Sequence, residues 1–529
     1  METKIFDLLE SGEAILGLEL GSTRIKAVLI DEDFNQIASG SFDWENKFEN
    51  NYWTYSVDDV WTGVQECYFQ LTQNVKKEFD VEISKLKAIG ISGMMHGYLP
   101  FNSSGKLLTP FRTWRNNTTS EASEDLTKAF DFSIPQRWCI SHLYQAILNN
   151  EPHVSEIAYL TTLAGYVHWK LTGEKVVGLC EGSGMFPVSD KKEFDENMLR
   201  KFDETLVLNN LGWKLGEILP QLKLAGAKAG NLTLEGSKLL DKTGKLETGI
   251  PFCPPEGDAG TGMVATNSIA IQTGNVSAGT SVFAMLVLKN KLSKVYPEID
   301  IVATPDGKPV AMVHSNNCSS DLDAWIALFD EAYKLAGANM SKSELYELLL
   351  KNALDADLDC GGLLTYGYVS GEHITHFEEG RPLFVRKQNS SFTLANFIRA
   401  NLYSALGALR IGLEILFDNE KLEISNVNGH GGYFKTKLVG QKIMAACFDT
   451  QVSVMETAGE GGAWGIALLA SYMINNDFGD LEEFMDNKVF KNIPTTSIMP
   501  EKAEVNGFQQ YMKEYRAGLG IERAAIENI

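Results

Sequence analysis

The chain has 529 residues, of which 44% are hydrophobic, and it carries 69 acidic against 47 basic side chains, a formal net charge of −22. This length exceeds the size at which a single hydrophobic core stops growing, so we expect two large domains. Nucleic acids and anionic membrane surfaces attract concentrated Lys and Arg, so the acidic balance argues against both as main partners.

The cysteines and the N-terminus bear on the cellular compartment. Seven cysteines are scattered along the chain without a CxxC pair, which is typical of reduced thiols in a cytosolic protein. The acidic start "METKIFDLLESGEA" lacks a basic region followed by a long apolar stretch, and no later segment reaches the roughly 18 apolar residues of a membrane span. We therefore expect a cytoplasmic protein that is neither exported by a signal peptide nor embedded in a membrane.

The first predicted elements are two strands joined by a short turn. In "GLELGSTRIKAVL" (17–29) an apolar run containing Glu19 is followed by Gly21-Ser22-Thr23 and then by a second strand-like run. Such a turn leaves N–H groups and hydroxyls uncovered, so it can hold phosphate oxygens. Its composition is also that of a structural hairpin, which is the more frequent case. Neither GxxxxGK[ST] nor GxGxxG is present, so a P-loop and a Rossmann fingerprint are not supported.

A long helix and a repeat of the opening pattern follow. The stretch "VDDVWTGVQECYFQLTQNVKKEF" (57–79) has apolar residues at intervals of three and four, which predicts a helix. Helices of this kind alternate with strand-like runs, which indicates an α/β or α+β fold. The segment "NVSAGTSVFAMLVL" (275–288) again places small residues between two strand-like runs, which indicates two related domains. We divide them at the Pro- and Gly-rich stretch 251–262, giving domains 1–267 and 268–529.

Three glycine-rich stretches are candidates for a site. In "EGDAGTG" (256–262) we expect a loop whose Asp258 can take a proton from a substrate hydroxyl, although a turn or helix N-cap aspartate is the simpler interpretation. "NGHGGYFKT" (428–436) can let a flat ring or a phosphate lie against the backbone. "GEGGAWGIALLA" (459–470) indicates a loop that enters a tightly packed helix.

Together these motifs resemble the FGGY family of carbohydrate kinases over about residues 15 to 475. The resemblance is carried by the ordered set "GLELGSTRIKAVL", "ISGMMHGYLPFN", "LTTLAGYVHWKLTGE", "EGDAGTG", "NVSAGTS", "YVSGEHITH", "GHGGYFKT" and "GEGGAWGIALLA". It implies an α/β fold of two ribonuclease-H-like domains of the actin and hexokinase type, with an active-site cleft between them. It also implies ATP-dependent phosphorylation of a sugar or polyol hydroxyl.

The resemblance assigns roles to residues on the catalytic and phosphate side. Asp258 matches the catalytic base, and Glu19 falls where the family usually has an aspartate near Mg²⁺. Lys26 occupies the family's basic position, although a solvated lysine at a strand end is an equal interpretation. The remaining positions match nucleotide-binding elements: Gly21, Ser22 and Thr23 in the first phosphate turn, Gly279 and Thr280 in the second, and Gly431, Gly432 and Tyr433 in the loop against adenine and ribose. Tyr433 departs from the small residue frequent there, and its ring could stack on the base.

On the sugar side the resemblance is to the xylulokinase branch. "GMMHG" (93–97) is similar to that branch's Gly-Gln-Met-His-Gly, which puts Met95 and His96 where the sugar is met, although a lone histidine is usually structural. The sequence departs from the branch at Met94, which replaces the Gln, at Arg115 and Asn116, which replace Asn and Asp, and at Ala259. Losing the carboxylate at position 116 is expected to change which hydroxyls are accepted.

The expected activity is therefore phosphorylation of a small sugar, such as the ketopentose xylulose, at a terminal hydroxyl. Alternatives are a kinase of another sugar or polyol (ribulose, glycerol, a deoxy sugar), a sugar-sensing degenerate kinase without turnover, and an ATPase closer to chaperones or actin. The expected partners are the sugar, ATP and Mg²⁺, without nucleic acid or membrane. Many family members are dimers, so a homodimer is also considered. For Trp53, Tyr55 and Trp61, packing is favoured over substrate contact.

Overall fold

The computed structural model describes residues 2–206, 211–455, 461–475 and 478–529. The chain forms two compact units. The first consists of Met1–Ile269, Asp300–Val310 and Glu460–Asn492, and the second of Ala270–Ile299, Ala311–Gly459 and Ile493–Ile529. The sequence-based division places residues 460–492 in the C-terminal domain, whereas their contacts group them with the first unit. The division at residue 267 itself stays a prediction.

The elements up to residue 269 alternate between strands and helices. The strands are β1 (Ile15–Leu20), β2 (Arg24–Ile30), β3 (Gln36–Asp43), β4 (Lys47–Glu49), β5 (Tyr52–Thr54), β6 (Ala88–Gly93), β7 (Leu99–Phe101), β8 (Tyr159–Thr161), β9 (Val176–Gly178), β10 (Gln221–Lys223) and β11 (Glu256–Gly257). The helices are α1 (Glu2–Ser11), α2 (Val57–Phe79), α3 (Ser120–Phe130), α4 (Cys139–Leu148), α5 (Leu163–Thr172), α6 (Leu179–Ser183), α7 (Glu196–Lys201), α8 (Leu215–Ile218), α9 (Leu234–Leu240) and α10 (Asp258–Ala265).

The elements from residue 270 onward continue the same alternation. The strands are β12 (Thr273–Ala278), β13 (Val282–Val287), β14 (Asp300–Ala303), β15 (Pro309–Ser315), β16 (Leu363–Tyr366), β17 (Leu383–Arg386), β18 (Asn426–His430), β19 (Gln451–Met455) and β20 (Thr495–Ile498). The helices are α11 (Ser320–Leu335), α12 (Lys342–Asn352), α13 (Leu394–Ser404), α14 (Gly407–Glu414), α15 (Val439–Phe448), α16 (Gly461–Ile474), α17 (Leu481–Phe484) and α18 (Lys502–Asn528).

The central sheet of the first unit has the strand order β11-β6-β1-β2-β3. β1 is antiparallel to β2, with Glu19 opposite Lys26, and parallel to β6, with Glu19 opposite Ser92. β11 is parallel to β6, with Gly257 opposite Gly93. The carboxyl ends of β1, β6 and β11 therefore meet at one edge of the sheet, which is where α/β proteins place their ligands.

The second unit repeats this order. Its main sheet contains the order β15-β13-β12-β18-β19-β20. In it β12 is antiparallel to β13 and parallel to β18, and β18 is parallel to β19. Read from the other side, the order β19-β18-β12-β13-β15 corresponds strand for strand to β11-β6-β1-β2-β3 in the first unit. The internal similarity predicted from 17–29 and 275–288 is confirmed at the level of strand order.

The predicted helix 57–79 is confirmed as α2. Ser56 caps its N-terminus by accepting a hydrogen bond from the Asp59 N–H, and Asp80 ends it in the left-handed conformation. Acidic residues lie in the first turn and lysines in the last, which complements the helix dipole. Its buried residues, spaced by three and four, form the face that packs on the sheet: Val60, Gly63, Val64, Cys67, Tyr68, Leu71 and Val75.

Helix α16 packs closely on the sheet of the first unit because glycines on two strands let it approach. A Cβ added at Gly17 would lie 1.9 Å from the Ala463 carbonyl oxygen, and one at Gly90 would lie 2.6 Å from the Ile466 side chain. Gly17 and Gly90 are opposite each other on β1 and β6, so the two glycines form a flat surface under the helix. The predicted tight helix packing of 459–470 is confirmed for residues 461–470, and Gly459 and Glu460 lie outside the described residues.

Two findings concern the cysteines and the apolar helices. All seven cysteines are buried and free of disulfides. Within the described ranges no single helix is long and apolar enough to cross a membrane, and the pair Leu394–Ser404 and Gly407–Asn419, which passes by length and composition only, is bent by 46°. The first helix of this pair is buried in the second unit at each residue from Asn396 to Ser404.

Candidate active site

Asp258 lies at the first position of α10, directly after β11. The Met95 N–H donates a hydrogen bond of 3.1 Å to its Oδ1 atom. Burial raises the pKa of the Asp258 carboxyl, and the N–H groups of Met95 and Ala259 partly offset this effect. The expectation of a glycine-rich loop at 256–262 is wrong, because these residues end a strand and begin a helix. The carboxyl is therefore held by regular structure at the sheet edge.

Glu19 reaches from β1 to the N-terminus of α16. Its Oε2 atom accepts a hydrogen bond of 3.2 Å from the Ala463 N–H, and a Cβ at Gly462 would lie 2.5 Å from Oε1. Burial, and then the negative charge of Asp258, raise the pKa of Glu19 to about 7, while the Ala463 N–H and Lys26 act in the opposite direction. Glutamate has one methylene more than aspartate, and this length lets the Glu19 carboxylate reach the N-terminus of α16, where a negative charge is favoured.

The donor set around Glu19 fits Mg²⁺. Glu19 and Asp258 are two carboxyl groups close enough for one to raise the pKa of the other, and a divalent cation would relieve that repulsion. Among the described residues there is no group of three or more His, Cys, Asp or Glu side chains suited to a metal ion. Mg²⁺ is usually held by one or two carboxylates, with waters and substrate phosphates completing its coordination. A site built on Glu19 matches that pattern.

The first predicted phosphate turn joins β1 to β2. The Gly21 N–H donates to the Arg24 carbonyl oxygen at 3.0 Å, which closes the turn, and Ser22 and Thr23 are exposed. Lys26 lies opposite Glu19 on the neighbouring strand. The hairpin is therefore confirmed as a structure, and its exposed backbone remains suitable for a phosphate.

The second turn and the glycine loop lie side by side in the second unit. The Gly279 N–H donates to the Ser281 carbonyl oxygen at 2.9 Å, and Thr280 is exposed. Gly431 has a φ of 99°, and a Cβ there would lie 2.5 Å from the Ala278 carbonyl oxygen, so only glycine fits. Gly432 has open space where a Cβ would point. These exposed glycines leave room for a flat ligand against the backbone.

The ring of Tyr433 is not available for stacking. It is 4% exposed, and its hydroxyl donates a hydrogen bond of 2.9 Å to the Leu402 carbonyl oxygen. The interpretation that this ring stacks on the nucleotide base is wrong, because the side chain packs inside the second unit. Gly431 and Gly432, which precede it, are exposed.

His96 is a buried neutral imidazole beside Met95. Its Nδ1 atom lies 3.1 Å from the Gly184 carbonyl oxygen, and its ring stacks on Trp138 with centroids 6.2 Å apart. Burial and the positive charge of Arg137, which is ion-paired with Asp300, lower the pKa of His96 to about 3. Since a carbonyl only accepts, Nδ1 carries the proton and Nε2 is left as an acceptor. Arg137 was not predicted from the sequence.

Asn116 has a structural role that the sequence comparison did not anticipate. Its Oδ1 accepts from the Trp53 N–H at 2.8 Å, and its Nδ2 donates to the carbonyl oxygens of Trp53 and Thr113, each at 2.9 Å. The side chain is buried, so its amide is not offered to a sugar. The expectation that losing the carboxylate at position 116 changes which hydroxyls are accepted stays a prediction. Arg115 is exposed and lies over the Trp53 ring, 3.9 Å from its centroid.

Two buried carboxyl groups behind Asp258 were missed by sequence reasoning. The Oε2 atom of Glu256 accepts from the Glu181 N–H at 2.9 Å, and a Cβ at Gly257 would lie 2.5 Å from Glu181 Oε2. Burial raises the pKa of Glu256 to about 8, and burial and the charges of Glu256 and Asp258 raise that of Glu181. Burial therefore favours the protonated form of both groups. The sequence contains one sign that Glu181 is buried: it is the single acidic residue in the otherwise apolar and small-residue stretch "VVGLCEGSGMF".

Comparisons with known proteins extend over both units. Residues 14–265 match the FGGY family of carbohydrate kinases, N-terminal domain, and residues 274–474 match the FGGY family of carbohydrate kinases, C-terminal domain. The chain is 22% identical to a xylulose kinase of Haemophilus influenzae over 518 residues, which is 94% of this chain and 98% of that protein. It is 24% identical over 288 residues to a glycerol kinase of Thermococcus onnurineus, covering 51% of this chain and 53% of that protein.

The fold is also that of a solved kinase structure. A ligand-bound xylulose kinase from Lactobacillus acidophilus aligns with a TM-score of 0.77 at 18% identity, covering 96% of this chain and 97% of that one. Both family domains are matched in order along the chain, and each unit carries the same strand order. The chain therefore belongs to the FGGY family of carbohydrate kinases.

Proposed function

We propose that this carbohydrate kinase transfers a phosphoryl group from ATP to a terminal hydroxyl of a ketopentose such as xylulose. The observation that carries the proposal is the Asp258 carboxyl, held by the Met95 N–H at the edge where β1, β6 and β11 end. The choice of sugar is supported by the xylulose kinase relative that spans nearly the whole chain.

Asp258 acts as the base. As the sugar oxygen bonds to the γ-phosphorus, the hydroxyl proton passes to Asp258, and the bond between the γ-phosphorus and the ADP oxygen breaks. The burial that raises the pKa of this carboxyl makes it a better proton acceptor. The Met95 N–H keeps the acceptor atom in place. This matters because phosphoryl transfer depends chiefly on positioning and charge neutralisation.

His96 Nε2 accepts a hydrogen bond from a second sugar hydroxyl.

The phosphates and the metal are held by backbone and by Glu19. Mg²⁺, when bound, neutralises phosphate charge, and Glu19 is the residue that would hold it, with water completing the coordination. In the first unit the exposed turn of Gly21, Ser22 and Thr23, with Lys26, binds phosphate oxygens. In the second unit Gly279 and Thr280 bind phosphate, and the backbone of Gly431 and Gly432 lies against the nucleoside.

A panel assay tests the proposal. Purified protein is incubated with ATP and Mg²⁺ and with single ketoses, aldoses or polyols, including xylulose, ribulose and glycerol, and ADP release is measured. We expect release that depends on a ketopentose, and a terminal phosphate in the product by ³¹P NMR. Release with glycerol alone would assign a polyol kinase, sugar-independent release would indicate an ATPase, and sugar binding without ADP release would indicate a sensor.

A homodimer stays a prediction from the sequence resemblance. Size-exclusion chromatography with light scattering checks it, because a mass near twice the 58.5 kDa of one chain is expected for a dimer.

A further inference from the structure

The three carbonyl oxygens of the first phosphate turn, residues 21–23, all accept hydrogen bonds from Trp44 or Tyr55, which we call the aromatic pair. Trp44 Nε1 donates to the Gly21 carbonyl oxygen at 2.8 Å, and the Tyr55 hydroxyl donates to that of Ser22. The Trp44 N–H donates to the Thr23 carbonyl oxygen at 3.1 Å. The two rings stack with centroids 4.2 Å apart and are 7% and 2% exposed. The donors are therefore rigidly packed.

Holding these carbonyls also orients the N–H groups of the turn. In a trans peptide the C=O of one residue and the N–H of the next point in opposite directions. Fixing the Gly21 and Ser22 carbonyls on the aromatic pair therefore points the N–H groups of Ser22 and Thr23 away from it, on residues that are exposed. A rotated peptide would instead present a carbonyl oxygen, which repels a phosphate oxygen.

The turn of the second unit is held in the same way by different residues. The Ser319 N–H and hydroxyl donate to the Gly279 carbonyl oxygen at 3.1 and 2.8 Å, and the Cys318 N–H donates to the Thr280 carbonyl oxygen at 3.0 Å. Trp44 directly follows β3, and Cys318 and Ser319 follow β15, the corresponding strand. At the second turn the donors are two backbone N–H groups and one serine hydroxyl, and none is aromatic. Hydrogen bonds to the carbonyl oxygens are therefore a feature of both turns rather than a consequence of aromatic packing.

We propose that Trp44 and Tyr55 are positioning residues for the nucleotide phosphates, because they hold the carbonyls of the 21–23 turn and so present its N–H groups to the ligand. This inference rests on the proposed function, in which that turn binds phosphate. Neither side chain touches the reacting atoms, and both act through the turn. Ser319 has the same role at the second turn, where a backbone donor shares the contact.

Trp44→Phe and Tyr55→Phe, singly and together, test this inference. Each removes one donor and keeps a ring. We expect the KM for ATP to rise about fivefold for each single variant and more for the double variant, because each loses one hydrogen bond. The KM for the sugar is expected to stay within about twofold, since loss of one hydrogen bond at a separate group is local. Ser319→Ala, which leaves the Ser319 N–H in place, is expected to raise the KM for ATP by a smaller factor.

Trp61→Phe is the matched control. The Trp61 Nε1 atom donates to the Tyr166 hydroxyl at 3.0 Å, so this variant loses the same volume and one indole hydrogen bond away from the turn. We expect its KM for ATP to equal that of the wild type. The inference is overturned if the double variant keeps the wild-type KM for ATP, if its KM for sugar rises equally, or if Trp61→Phe has the same effect.

A binding measurement separates this inference from the proposed function. If the wild type phosphorylates no sugar in the panel, the proposed function fails, but the dissociation constant of ATP measured by calorimetry still compares the variants. A selective loss of ATP affinity in Trp44→Phe and Tyr55→Phe, absent in Trp61→Phe, supports the inference in either case. Equal affinities in all four proteins overturn it.

Discussion

The Met95 N–H donates a hydrogen bond of 3.1 Å to Asp258 Oδ1, across 163 positions of sequence. The two residues meet because β6 and β11 are parallel neighbours, with Gly93 opposite Gly257, so the chain leaves both strands at the same edge. A backbone donor and a helix N-terminus both fix the carboxyl. Its orientation is thus set before a substrate binds, which is the condition for efficient proton transfer.

Asp258→Asn is expected to lower kcat by about 100- to 10,000-fold, because the amide cannot accept the hydroxyl proton. The Asn oxygen still accepts the Met95 N–H, so ATP affinity and thermal stability are expected to remain close to those of the wild type. A coupled assay of ADP formation and calorimetry with ATP measure the two effects. Turnover near the wild-type level would remove Asp258 from the mechanism.

Glu19→Asp is expected to retain measurable activity but to require a higher Mg²⁺ concentration for half-maximal rate. The side chain is shorter by about 1.5 Å, one carbon–carbon bond, so its carboxylate withdraws from the Ala463 N–H that orients it. Mg²⁺ titrations of the steady-state rate at saturating ATP measure the change. An unchanged titration would mean that Glu19 is only structural.

Gly465→Ala and Gly520→Ala are expected to change stability in opposite directions, although both are helical glycines. A Cβ at Gly465 would lie 2.1 Å from the Thr261 carbonyl oxygen, so overpacking is expected to cost about 1–3 kcal/mol of unfolding free energy. A Cβ at Gly520, within α18, meets nothing within 4 Å, so the higher helix propensity of alanine should add about 0.5–1 kcal/mol. Urea unfolding measures both. Equal effects of the two substitutions would contradict the close approach of α16.

The pH dependence of stability is expected to include a contribution from Glu256. Its pKa is raised from 4.5 to about 8 in the folded protein. Below pH 4.5 both states are protonated and the contribution is fully present. Between pH 4.5 and 8 the unfolded state ionises first, so it binds fewer protons and the free energy of unfolding falls, by at most about 1.4 kcal/mol per pH unit. Above pH 8 the contribution is lost.

Glu256→Gln should therefore flatten the decline in stability between pH 5 and 8, because the amide does not titrate. Urea midpoints at several pH values measure the slope. Glu235→Gln, which changes an exposed carboxyl on α9, serves as the control and is expected to keep the wild-type slope. If Glu256→Gln also keeps that slope, Glu256 does not remain protonated in the folded protein.

Sequence reasoning succeeded for features that neighbouring residues determine. The turn between β1 and β2, its repeat between β12 and β13, and helix α2 all follow from patterns within about 25 residues. These patterns reflect local geometry: the alternation of a strand, the period of a helix and the residues that a turn requires. The ordered motifs likewise identified the family and drew attention to Asp258 and Glu19.

Only the tertiary structure decided what surrounds those residues. The Glu19 carboxylate accepts a hydrogen bond from the Ala463 N–H, 444 positions away in the sequence. The Asn116 amide is hydrogen-bonded to the Trp53 backbone, and the buried Tyr433 hydroxyl donates to the Leu402 carbonyl oxygen. Trp44 and Tyr55 hold the 21–23 turn for the same reason. Hydrogen bonds between distant residues depend on strand order, register and helix approach, and those follow from the packing of a whole unit rather than from any short segment. The sequence by itself therefore determined which residues are candidates, and the fold decided which of their polar atoms remain available.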